Sequence, residues 1–236
     1  MRLLCSIILT IAAFAGCTKT RTDTPTIKPM AATPDSLSYL ALGDSYTVGE
    51  AVPKDESFPH QLRTALSSQG YKVSTPTVIA TTGWTTDNLI DAIGSSGLKG
   101  RHYDFVTLLI GVNDQYQGLS LDNYRVRFQQ VLNTALDFTG GDKTTVFVLS
   151  IPDYGVTPFA QGRDAEIGPQ IDQFNAINKL ISAAAGVNYL DITPISRQAA
   201  NDPGLIAPDG LHPSGKMYDL WVEQLMPVVK SMVHSP

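Results

Sequence analysis

The chain has 236 residues, with 17 basic and 22 acidic side chains and a formal net charge of −5. Hydrophobic residues make up 43% and charged ones only 17%, too apolar a balance for a disordered chain. A net negative chain without a basic block is a poor nucleic-acid binder, and two cysteines, Cys5 and Cys17, cannot staple a disulfide-rich fold.

The first residues read as an address. Arg2 supplies a positive start, Leu3 to Phe14 is almost wholly apolar, and Ala15-Gly16-Cys17 follows. This is the pattern of a secretory signal. The run is shorter than the ~20 apolar residues a spanning helix needs. A cysteine directly after the small residues resembles a bacterial lipobox, although Phe14 stands where Leu is usual. The resemblance implies cleavage before Cys17, a lipid on that cysteine, and export to the cell envelope with a membrane anchor. An ordinary signal peptide that happens to contain a cysteine is the alternative. Residues 1–16 are therefore read as a signal peptide. Residues 17–34, rich in Thr and Pro, are read as a lipidated cysteine and an extended tether. Residues 35–236 are one domain.

Within that domain, residues 38–42 form a short apolar run ending at Gly43, a buried strand. Residues 58–68 have helical spacing, and residues 73–80 are β-branched and strand-like. A Thr-Thr-Asp cluster opens a helix over 85–93. Residues 105–110 are again a buried strand. Leu121, Tyr124, Phe128, Val131, Leu132, Ala135 and Leu136 share one helical face, capped by Ser120 and ended by Gly140-Gly141. Residues 145–151 form the fourth strand. Ile167, Ile171, Phe174, Ile177 and Ile181 mark a helix closed by Gly186, and residues 187–192 form the last strand. The final helical face runs from Met217 to Val228, with a kink expected at Pro227. Strands that alternate with helices and are apolar throughout indicate a parallel sheet covered on both faces. The expected fold is α/β: a five-stranded, three-layer α/β/α sandwich, with its ligand site at the carboxyl ends of the strands.

The chemistry-bearing residues fall at those ends. Gly43-Asp44-Ser45-Tyr46 follows the first strand, and a serine there is a nucleophile if a histidine takes its proton. On its own it is more simply a helix cap. Asp209-Gly210-Leu211-His212-Pro213 supplies the base: three residues apart in a turn, Asp209 can hold one ring nitrogen of His212 while the other faces Ser45. A capping Asp beside an incidental surface His is the plainer alternative. Asn113, after the third strand, brings an amide donor suited to an oxyanion. Gly83, after the second, leaves its N–H open to a ligand. Turn geometry alone would also explain both.

Together these segments resemble the SGNH hydrolases, also called the GDSL esterase/lipase family: Ser45 in GDSY, Gly83, Asn113 in GVND and His212 in DGLHP, in the family's order. The resemblance runs from about Ser38 to the C-terminus. It implies a flavodoxin-like sheet and ester hydrolysis with no metal or other cofactor. Ser45, Asp209 and His212 would be catalytic, and the Ser45 N–H, the Gly83 N–H and the Asn113 side chain would form the oxyanion hole. Tyr46 replaces the Leu of the family's name, which implies altered packing rather than altered chemistry.

Tyr46, Trp84, Tyr116, Tyr154 and Phe159 are expected around the pocket, where each serves either the substrate or loop packing. Arg163 is more simply a solvated surface cation than an anion ligand. No lid-like apolar stretch suggests a triglyceride lipase. The expected activity is a serine esterase for short-chain or acetyl esters of small molecules or glycans. A lysophospholipase or thioesterase for longer acyl chains is the second reading. The third is a non-catalytic surface binding protein, which the intact Ser45, Asn113, Asp209 and His212 set argues against.

Overall fold

The structure, a computed structural model, describes residues 36–233. The stretches read as a signal peptide and a tether, with Cys17 between them, lie outside the described residues. Among those described, no helix is long and apolar enough to cross a membrane.

Five strands form one parallel sheet: β1 (Tyr39–Gly43), β2 (Thr77–Ala80), β3 (Phe105–Leu109), β4 (Val146–Leu149) and β5 (Asn188–Leu190), in the order β2-β1-β3-β4-β5. Eight α-helices accompany it among the described residues: α1 (Ser45–Val48), α2 (Phe58–Ser68), α3 (Thr86–Ser95), α4 (Val112–Tyr116), α5 (Leu121–Phe138), α6 (Asp164–Ala185), α7 (Thr193–Arg197) and α8 (Gly215–Met232). Helices α2 and α8 pack together, and α3, α5 and α6 form a second contiguous layer. The α/β/α sandwich expected from the sequence is the fold observed. Strands β1, β3 and β4 are buried along their whole length, because helices cover both faces of the sheet.

The helix ends follow the expected chemistry. Thr85 caps α3 in a reciprocal capping box with Asn88, Ser120 caps α5, Ser214 caps α8, and Gly186 closes α6 in the left-handed conformation. Helix α8 continues past Pro227 to Met232. Strand β2 is shorter than expected. Pro76 offers no N–H to a ladder, so Val73 reaches the sheet only through a single bridge to Leu37. Strand β5 also stops early, because the Ile192 N–H turns away to Ser150 Oγ at 2.8 Å.

The order reverses at β1, which pairs with β2 on one side and β3 on the other. The crevice beyond their carboxyl ends is the topological switch point of such a sheet. Ser45 follows β1 and Asn113 follows β3, so the topology brings both to that crevice.

Candidate active site

Gly43 is the last residue of β1, and only glycine fits there, since a Cβ would run into Thr47 Oγ1 and the Leu109 carbonyl. Asp44 then caps α1, accepting the Tyr46 N–H at 3.0 Å, and Ser45 becomes the first helical residue. Asp44 is fully buried, and its second oxygen has no hydrogen-bond partner. Burial raises its pKa to about 8, against the Tyr46 hydrogen bond that lowers it and with the nearby Asp114 adding to the rise. The cap is thus a largely neutral acid at pH 7.

Between the ordinary value of 3.8 and about 8, the unfolded chain has lost this proton while the folded one keeps it. The folded state is therefore favoured least once the pH exceeds about 8, and most below 3.8. Asparagine caps as well as aspartate but does not titrate. The Asp44→Asn variant should gain thermal stability over the wild type as the pH rises from 5 to 8. Melting curves at both pH values test this; a difference independent of pH would show that Asp44 does not titrate across the interval.

The candidate base, His212, lies in the segment before α8. Asp209 Oδ2 and His212 Nδ1 are 2.5 Å apart, and Asp209 Oδ1 accepts the N–H groups of Leu211 and His212, each at 3.0 Å. Partial burial works to raise the Asp209 pKa, but the hydrogen bonds from the His212 ring and from these two amides outweigh it and hold the carboxyl below its ordinary value. Asp209 therefore stays charged beside the imidazole. The Ala207 N–H bonds the His212 carbonyl at 2.8 Å and closes the turn. Tyr46 sets its ring edge-on to His212, with centroids 5.7 Å apart, and against Trp221 at 6.4 Å. The residue that departs from the GDSL pattern is thus the one that packs behind the imidazole.

Gly83 stands third in a turn closed by the Trp84 N–H to the Thr81 carbonyl, with φ of +84°, a geometry that favours glycine. Asn113 donates one Nδ2 hydrogen to the Trp84 carbonyl at 2.9 Å. A side-chain amide has two such hydrogens, so the second remains for a ligand. The adjacent Asp114 accepts the Thr86 N–H at 2.9 Å and its hydroxyl at 2.6 Å. Together they tie α4 to the Gly83 turn. Thr82 makes a further hydrogen bond to Glu50, whose N–H bonds the Ser45 carbonyl at 3.1 Å. The turn is therefore linked to the helix that carries Ser45.

Ser45, Gly83, Asn113 and His212 all border one cavity of about 160 Å³. Among the described residues no hydrogen bond links the Ser45 and His212 side chains; such contacts are often long until substrate is present. Tyr46, Tyr116, Tyr154 and Phe159 line the cavity as expected, joined by Thr82, Val112 and Leu211. Trp84 takes the packing alternative: its side chain is half-buried against the core rather than in the lining of this cavity, and its carbonyl accepts from Asn113. Arg163 is exposed and bonds the Ala160 carbonyl at 3.1 Å, in keeping with a surface role. Sequence reasoning missed Glu50, Thr82 and Thr86, which act through tertiary hydrogen bonds that no local pattern announces. The described residues contain no cluster of three or more His, Cys, Asp or Glu side chains able to hold a metal.

A GDSL-like lipase/acylhydrolase family model matches residues 41–220. Among curated proteins none matches the chain in sequence. Solved structures do match in fold. A lipase/acylhydrolase from Enterococcus faecalis superposes with a TM-score of 0.66 at 15% identity, covering 85% of this chain and 98% of its own. A psychrotrophic esterase from Pseudoalteromonas sp. gives 0.64 at 16% identity, covering 83% and 98%. An acetyl xylan esterase from Geobacillus stearothermophilus, with a Trp-to-Ile substitution, gives 0.62 at 16% identity, covering 82% and 94%.

Proposed function

The chain belongs to the GDSL-like lipase/acylhydrolase family of ester hydrolases, and from that premise we propose that it is a serine esterase for short-chain carboxylic esters, acetyl esters of small molecules or glycans above all. Ser45 Oγ attacks the ester carbonyl while His212 Nε2 takes its proton. Asp209 holds Nδ1–H and stabilises the imidazolium. The Ser45 N–H, the Gly83 N–H and the second Asn113 Nδ2–H receive the oxyanion. Collapse of this intermediate breaks the bond to the alcohol oxygen, which leaves with the proton from His212. Water, losing a proton to His212, then attacks the acyl-serine. The acid departs as that proton returns to Ser45.

The observation that carries the acyl-chain preference is the cavity volume. At about 160 Å³, it is close to the ~150 Å³ that encloses one benzene molecule. An acetyl to butyryl group fits beside Ser45, whereas an enclosed chain of lysophospholipid length does not. The acetyl xylan esterase among the similar folds lends support, since the same architecture serves acetyl esters there.

A series of p-nitrophenyl esters from acetate to dodecanoate, with Ser45→Ala as control, tests the preference. The largest kcat/KM is expected at acetate or butyrate. A maximum at octanoate or beyond would replace this reading with the long-chain one.

A further inference from the structure

Two large aromatic side chains at the mouth of the cavity stay in water. Tyr116 is 56% exposed and Phe159 40%, whereas most of the protein's aromatic rings are buried. Their ring centroids lie 6.1 Å apart, and both rings rest on the buried Tyr154, at 6.2 and 6.3 Å. Exposed aromatic surface held beside a reactive centre is a binding feature, because water solvates it poorly and a flat partner covers it well.

The trio is held in place from three directions. Asp153, the residue before Tyr154, pairs with Arg197 at 2.9 Å and donates its N–H to Ser196 Oγ at 2.8 Å. Phe159 donates its N–H to the Gly210 carbonyl at 3.0 Å, so its turn is docked on the Asp209–His212 segment. Tyr116 ends α4, the helix fixed to α3 through Asp114. A platform fixed before binding loses little freedom when it is occupied.

Its position indicates which half of the ester it meets. His212 must reach the oxygen of the departing alcohol, and the Phe159 turn is bonded to the segment that carries His212. Tyr46 and Val112 bury one side of the cavity while Tyr116 and Phe159 open the other to solvent, so the acyl group is assigned to the buried side and the alcohol to the exposed rim. We propose that Tyr116 and Phe159, backed by Tyr154, form a stacking subsite for the alcohol half of the ester, and that it takes a pyranose ring. This rests on the serine-esterase reading above. A pyranose presents a flat C–H face to aromatic rings while its hydroxyl edge stays in solvent. Partly exposed rings at an open rim suit that division. A flexible alkyl alcohol would need an enclosed apolar trough, which the rim does not offer.

The test compares three acetates: an acetylated methyl xylopyranoside, phenyl acetate and ethyl acetate. Tyr116→Ala and Phe159→Ala should each lower the kcat/KM ratio of pyranoside to ethyl acetate about tenfold, mainly through KM. Phe159→Tyr, which keeps the ring, should restore the ratio. An unchanged ratio, whether from equal losses on both substrates or from no loss, would overturn the subsite. Loss confined to phenyl acetate would assign the platform to aryl alcohols and overturn the pyranose. Ser45→Ala on all three acetates separates the premise: if it leaves the rates intact, the esterase reading fails whatever the ring variants do.

Discussion

Ser45→Ala should abolish the burst of p-nitrophenol from the acetate ester and lower kcat by roughly 10⁶, the scale on which nucleophile loss acts in serine hydrolases. The size follows from the covalent route. Without Oγ there is no acyl-enzyme, and His212 has no hydroxyl to deprotonate. The remaining donors still polarise a bound carbonyl, so a residual rate over water is expected from them. The substitution should leave the fold intact. Asp44 caps α1 through the Tyr46 N–H, and the Ser45 side chain takes no part in that bond. Rapid-mixing kinetics and a melting curve on the same sample check both halves. A burst that survives in a folded variant would remove Ser45 from the chemistry.

Ser45 was visible in the sequence because the topology of the fold is visible there. Wholly apolar strands such as Phe105–Leu109 imply a sheet covered on both faces, and such a sheet places its ligand at the strand ends. Ser45, Gly83 and Asn113 could therefore be located by the strands they follow. Asp209 and His212 were legible for a different reason: their spacing alone permits the contact that the turn makes. The one-turn helices α1, α4 and α7 were not legible, since four or five residues carry too little periodicity to register. The two readings of Trp84 could not be separated in the sequence because its side chain and backbone do different things. The capping box at Thr85 commits the chain to α3, the indole packs half-buried against the core, and the carbonyl is left for Asn113. Glu50 and Thr82 lie 32 residues apart, and only the pairing of β1 with β2 brings them together.

Asn113 is where the dual use of one amide becomes measurable. Its Nδ2 group gives one hydrogen to the Trp84 carbonyl and has a second, which the proposed mechanism directs to the oxyanion. The bond to Trp84 does not change along the reaction, whereas the other strengthens as negative charge develops on the carbonyl oxygen. Asn113→Ala removes both. Losing the oxyanion donor should lower kcat by on the order of 10²–10³ with little change in KM. Losing the tether frees the Gly83 turn on one side, but the Thr82–Glu50 and Thr86–Asp114 bonds remain. Gly83 should thus stay close enough to donate, and the loss should remain within that range rather than approach that of Ser45→Ala. Asn113→Asp is the sharper variant. It is nearly isosteric, but its carboxylate would face both the Trp84 carbonyl and the developing oxyanion, and repel each. It should be slower than Asn113→Ala by a further factor, although it fills the same space. Steady-state kinetics on p-nitrophenyl acetate give the order of the two variants. If Asn113→Asp is the faster of the two, the side chain fills space and the oxyanion is held by the backbone alone.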